Sequence, residues 1–202
     1  MISREHRFIF LHVPKTGGNA VQTVLLPLTD DRMIATDTQD MVDRFGIVGP
    51  VTPFKHATLQ DYADSLGETL SAYSVIITLR PPFERMVSLY FSPNRWHGTR
   101  PVWDRDDFLK MAGATASTAT FLRVGGAVMT PDIVLGFDSL SADFDRMVKQ
   151  LDLPLADTAL PVRNTSAATS DALQAVLSDV DLRGTVEDMF ADDIALGQRF
   201  GT

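Results

Sequence analysis

The sequence predicts an α/β domain built on a mostly parallel sheet. Three observations carry that expectation. Apolar or β-branched runs at residues 8–13, 74–79 and 132–137 alternate with stretches whose apolar residues recur at helical spacing. Strands separated by helices do not pair as simple hairpins and so tend to run parallel. The first two strands each end in a turn of Gly or Pro that opens straight into a helix.

The elements follow in order. Residues 8–13 form a buried strand, and a helix runs from residue 17 to about residue 28, closed by Pro27 and the pair Asp30-Asp31. Residues 29–57 are expected to hold a short helix over 38–45 among loops. Thr58 reads as the N-cap of a helix over 59–66 that Gly67 stops. Residues 74–79 are the second strand. Arg80-Pro81-Pro82 then opens a helix with Phe83, Met86, Val87, Tyr90 and Phe91 at helical spacing; proline suits a first turn, where its missing N–H is no loss. Residues 92–102 read as a surface loop, 104–112 as a short helix and the small-residue run 113–120 as weakly structured. A third strand at 132–137 and a helix over 141–151 follow, the latter with Phe144, Met147, Val148 and Leu151 on one face. A loop over 160–170 and two terminal helices near 171–177 and 185–196 complete the chain. No repeat, linker or low-complexity tract interrupts it, so residues 1–202 are expected to form a single domain.

Composition narrows the function. A chain of 202 residues with 45% hydrophobic and 22% charged content suits a globular domain with a real core. It has no cysteine, which excludes disulfides and thiolate metal sites and fits a reducing compartment. The apolar run near the N-terminus is broken by His12 and is too short for a secretory signal or a membrane span, so a cytoplasmic location is expected. The net charge of −8 lies in residues 130–202, with thirteen acids against five bases, while residues 1–129 are balanced. A nucleic-acid polymer is therefore not the expected partner. Between residues 78 and 105, however, Arg80, Arg85, Arg95, Arg100 and Arg105 face only Glu84 and Asp104, a local excess fit for a small anion. No pair of histidines has metal-ligand spacing, and no metal is expected.

The richest segment is Val13-Pro14-Lys15-Thr16-Gly17-Gly18-Asn19-Ala20. A strand ending in a lysine and two glycines at the head of a helix can close backbone N–H groups, a helix N-terminus and an ammonium on a phosphate-sized anion. At the second strand–helix junction, Arg80 offers a planar fork of donors and Ser88 a hydroxyl, enough for a second phosphate. In a parallel sheet both junctions lie at the carboxyl edge, where such folds bind ligands.

These segments resemble the PAPS-dependent sulfotransferases, especially the carbohydrate group that includes heparan sulfate 2-O-sulfotransferase and its bacterial relatives. Lys15-Thr16-Gly17-Gly18 is similar to the family's 5′-phosphosulfate loop. The run from Arg80 to Ser88 is similar to its 3′-phosphate motif, R-x-P-x-x-R-x-x-S. Lys55-His56-Ala57-Thr58, Gly136-Phe137-Asp138-Ser139-Leu140, Leu160 to Ser166, Asp193-Ile194 and Phe200-Gly201 stand in the family's order. Asn19 and Ala20 occupy positions that are usually Thr and Ser; Asn19 can still donate a hydrogen bond, whereas the Ala20 side chain cannot.

The resemblance implies a P-loop-like three-layer fold, a central mostly parallel sheet flanked by helices. It implies a sulfuryl donor, 3′-phosphoadenosine-5′-phosphosulfate (PAPS), a product, adenosine 3′,5′-bisphosphate (PAP), and no metal. The acceptor would be a hydroxyl or amine of a carbohydrate or other small molecule. Lys15 would stabilise the leaving phosphate, and His56, rather than His6, His12 or His97, would be the base. Lys15, Thr16, Gly17, Gly18, Asn19 and Ala20 would cradle the 5′ end, Arg80 and Ser88 the 3′-phosphate, and Arg163 and Thr165 would belong to a loop over the nucleotide. Glu84 is a weaker alternative as base, since its helix position suggests that it pairs with a neighbouring arginine instead. Trp96 and Trp103 either stack on a sugar or bury under their loop. Two other readings remain: a P-loop-like kinase, disfavoured because Lys15 precedes the glycines, and a non-catalytic nucleotide-binding protein of the same fold.

Overall fold

A computed structural model of the protein describes residues 1–35, 45–92, 102–161 and 171–201. Its elements grow from local causes. β1 (Ile2–Ser3) and β2 (Phe8–Leu11) are antiparallel across a turn in which Arg7 takes a φ of 54°. α1 (Gly18–Leu25) begins after Gly17, and Pro27 tightens its end into a 3₁₀ turn. β3 (Arg32–Ala35) and β4 (Phe45–Val48) form an antiparallel pair. The helix expected over 38–45 is thus corrected at Phe45, which opens a strand; residues 38–44 lie outside the described residues. α2 (Leu59–Leu66) starts in a reciprocal capping box between Thr58 and Asp61.

β5 (Ser74–Leu79) leads into α3 (Pro82–Tyr90), with proline in its first turn. α4 (Arg105–Gly113) and α5 (Thr118–Phe121) are capped by Asp104 and Ser117, so the small-residue run 113–120 contains the start of a helix. β6 (Arg123–Val124) and β7 (Ala127–Val128) make a hairpin through Gly125 and Gly126, both at positive φ. β8 (Ile133–Gly136), α6 (Leu140–Gln150) and α7 (Asp171–Leu177) match their expected spans within two residues. The single helix expected over 185–196 is two, α8 (Val180–Met189) and α9 (Ala191–Phe200), which turn at Phe190.

The main sheet has the order β1-β2-β5-β8, with β2, β5 and β8 parallel. Alternation along each strand sends side chains to two cores. Phe8, Phe10, Ile76 and Leu135 pack with Val21 and Leu25 of α1 and Phe144 and Met147 of α6. Ile9, Leu11, Val75, Ile77 and Leu79 pack with α2, α5 and Leu196 of α9. Each such fully buried side chain stabilises the fold by about 1.5–3 kcal/mol. A third cluster joins α3, α4, α7 and α8 through Phe83, Tyr90, Phe108, Leu173, Leu182 and Val186. The break at Phe190 follows from this division. Leu182 and Val186 serve the third cluster while Leu196 serves the sheet, so one straight axis does not reach both. The parallel strands deliver three junctions to one edge: β2 to α1, β5 to α3 and β8 to α6. No helix among the described residues is long and apolar enough to cross a membrane.

Candidate functional site

The β2–α1 junction has an unusual backbone. Lys15 takes a φ of 70° and Gly17 a φ of 87°, two left-handed residues in three. Four successive carbonyls are each bound by a side chain. His56 Nδ1 sits 2.8 Å from the His12 oxygen, and Thr16 Oγ1 donates to Val13 at 2.8 Å. Arg85 Nε donates to Pro14 at 3.1 Å and Arg80 Nη1 to Lys15 at 3.2 Å. In a trans peptide the N–H points opposite to the C=O. Carbonyls turned onto the protein at Pro14 and Lys15 therefore face the N–H groups of Lys15 and Thr16 away from the two arginines. Alternating backbone handedness with N–H groups on one side is how a chain makes an anion-binding concavity.

The glycines have packing reasons that the sequence did not show. A Cβ at Gly18 would lie 2.2 Å from the His12 ring, and one at Gly17 would meet Leu140 at 2.8 Å. His12 is 4% exposed, and its ring lies 4.6 Å from that of His56. Burial first, then the nearby His56 and Lys55, push His12 well below the usual histidine value, so it is neutral. Burial also lowers His56, against the bond to the His12 carbonyl, which raises it. Because a carbonyl can only accept, Nδ1 of His56 carries the proton and Nε2 keeps a lone pair.

Lys15 and Arg80 meet here. Burial and the charge of Arg80 lower the Lys15 pKa. Its ammonium lies 3.4 Å from Ser92 Oγ, just past α3. Ser88 lies in the last turns of α3, four residues before Ser92. The Arg80 guanidinium stacks 3.9 Å over Phe137 of the third junction, and its Nε is buried without a partner. Two cations this close, one with an unspent donor, suit an anion. A cavity of about 160 Å³ beside Arg80 is lined by Pro81, Pro82, Thr118, Asp193, Gly197 and others.

The other expected residues divide. The Thr16 hydroxyl is spent on Val13 and on Thr78 across the sheet. The Ala20 N–H donates to Gly17 at 3.1 Å, so neither its side chain nor its amide is offered outward. Asn19 Oδ1 is buried without a partner. Arg163, Thr165, Trp96 and His97 lie outside the described residues. Trp103 packs among Tyr90, Phe91 and Phe108 at 5.2–6.0 Å. Glu84 pairs with Arg183 at 2.6 Å, a partner 99 residues away rather than a neighbour in sequence. Ser92, beyond the end of α3, is a contact of Lys15 that no motif in the sequence marked. The depth of Arg85 had no signal either.

A family model described as the sulfotransferase family matches residues 1–196 of the chain. No curated protein and no solved structure matches it.

Proposed function

The chain belongs to the sulfotransferase family, and from that premise we propose that it transfers a sulfuryl group from PAPS to a hydroxyl or amine of a carbohydrate or other small acceptor. The observation that carries this reading is the Lys15 turn. Its carbonyls are bound from behind, and it stands against a second cation, Arg80, at the ends of two adjacent parallel strands. PAPS, when bound, supplies an activated sulfuryl group on a phosphate leaving group and a 3′-phosphate handle. The turn at residues 15–18, with Asn19 beside it, would hold the 5′ end. Arg80 and Ser88 would hold the 3′-phosphate, and Arg163 and Thr165 would complete the nucleotide site.

Lys15 is the group that would meet negative charge as the sulfur–oxygen bond to the phosphate breaks, from a half-buried position where one charge counts for more than in water. His56 is the base in this reading. Its Nδ1–H is held by the His12 carbonyl, and its Nε2 would take the acceptor's proton as the new oxygen–sulfur bond forms. The lowered His56 pKa keeps the ring neutral at pH 7, the form a base requires.

Transfer of labelled sulfate from PAPS to a panel of sugars and small hydroxylated compounds tests the activity. Binding of PAP without Mg²⁺, set against ATP with Mg²⁺, separates this reading from a kinase. Tight PAP binding with no transfer to any acceptor would favour a non-catalytic nucleotide-binding protein.

A further inference from the structure

We propose that Arg85 is a positioning residue of the donor site, a buried strut that holds the Lys15 turn in its anion-facing conformation and ties it to α9, rather than a ligand of the 3′-phosphate. The inference rests on the PAPS reading above.

Arg85 is 1% exposed. Its three nitrogens point at three different segments. Nε donates to the Pro14 carbonyl at 3.1 Å, Nη2 donates to Ala116 at 2.8 Å ahead of α5, and Nη1 lies 3.6 Å from Asp193 Oδ2 on α9. The carboxylate of Asp193 in turn accepts the N–H groups of Thr118 and Ala119 at 2.7 and 2.8 Å. Nη1 has no hydrogen-bond partner, but it is buried and faces the Asp193 carboxylate, which answers its charge, while Nε and Nη2 are held by carbonyls; no edge of the guanidinium is exposed to a phosphate. What it does control is the peptide plane between Pro14 and Lys15. Fixing that carbonyl inward fixes the Lys15 N–H outward. Arg80 sets the next plane in the same way. The two arginines of the second junction thus shape the first, and Arg85 carries the constraint from a helix more than a hundred residues away in sequence.

The two roles predict different losses. A strut for the Lys15 turn should matter to the 5′ end of the nucleotide and not to the 3′ end. Titration calorimetry without Mg²⁺ on the whole chain would compare PAP, adenosine 3′-monophosphate and adenosine 5′-monophosphate. In Arg85→Lys, the advantage of PAP over the 3′-monophosphate should shrink by about tenfold, the scale of one charge-assisted hydrogen bond. Its advantage over the 5′-monophosphate should hold. Arg85→Met combined with Asp193→Asn removes both charges and leaves neither buried alone, so it keeps the test open if the lysine variant folds poorly. It should show the same selective loss, and Asp193→Asn alone a smaller one. Loss of the 3′ advantage instead, or a lower melting temperature with both ratios unchanged, would overturn the proposal. If the unaltered protein does not bind PAP, the donor reading itself falls, and this inference with it.

Discussion

The first and second strand–helix junctions sit side by side on one sheet edge and are held in opposite ways. The β5–α3 junction is stiff by covalent structure. Pro81 lies at φ −49° and ψ 135°, Pro82 occupies the first helical turn, and the Pro81 carbonyl takes the Arg85 N–H at 2.9 Å. The β2–α1 junction is held from outside, by His56, Arg85 and Arg80 brought from other elements and by Thr16 within the turn. The stiff junction supplies two of those donors. A turn that must hold two left-handed residues can keep them when a rigid neighbour presses the right carbonyls inward. Backbone strain at a site is maintained by the structure around it.

The sharpest way to break this contrast is to remove chemistry from the first junction without touching its frame. Lys15→Ala should cut sulfuryl transfer by about 10²–10³-fold, the scale of one preorganised electrostatic group. Its melting temperature should stay close to that of the parent. Full turnover in that variant, measured with labelled PAPS, would end the role assigned to Lys15.

His56 does two things in this picture, and two substitutions separate them. His56→Ala loses both the base and the bond to the His12 carbonyl. His56→Asn keeps an N–H for that carbonyl and loses only the base. Both should lower kcat by about 10²–10⁴-fold, and only the alanine should also weaken PAP binding. Burial lowers the His56 pKa, so the acid-side decline of kcat/KM should fall at lower pH than for an ordinary histidine. A decline beginning above pH 7 would place the base elsewhere.

Gly18→Ala attacks the frame itself. The new methyl would displace the His12 ring, and with it the ring of His56. Overpacking of this kind costs about 1–3 kcal/mol, readable as a drop in the urea midpoint. The histidine pair also sets a pH dependence. Both rings are held below 6.5 in the fold, so the unfolded chain takes up protons more readily. Their contribution to stability is intact above pH 6.5 and is lost as pH falls through the folded values. Melting curves between pH 7.5 and 5 should show this loss, and His12→Gln should flatten it.

The smallest effect belongs to the second junction. Pro82→Ala should cost only about 0.5–1 kcal/mol, through the unfolded chain, with transfer unchanged. A large loss of activity there would mean that transfer itself depends on the stiffness of this junction, as it does on the frame of the first.

The sequence determined the features that depend on near neighbours. Periodicity and capping residues located β2, β5, β8 and α1, α2, α3 and α6, because a buried strand or an amphipathic helix announces itself within ten residues. The Lys15 turn and the Arg80 motif were legible for the same reason, since each is a contiguous string. What the tertiary structure alone decided depends on partners far along the chain. β4 exists because Phe45 and Ile47 pair with β3 and bury against the first core. The bend at Phe190 exists because two cores pull one stretch in different directions. Gly18 is a glycine because of His12, and Arg85 sits beneath the site because Pro14, Ala116 and Asp193 converge on it. A sequence motif names which side chains can bind an anion; only three-dimensional packing decides which of them face it and which hold the others in place.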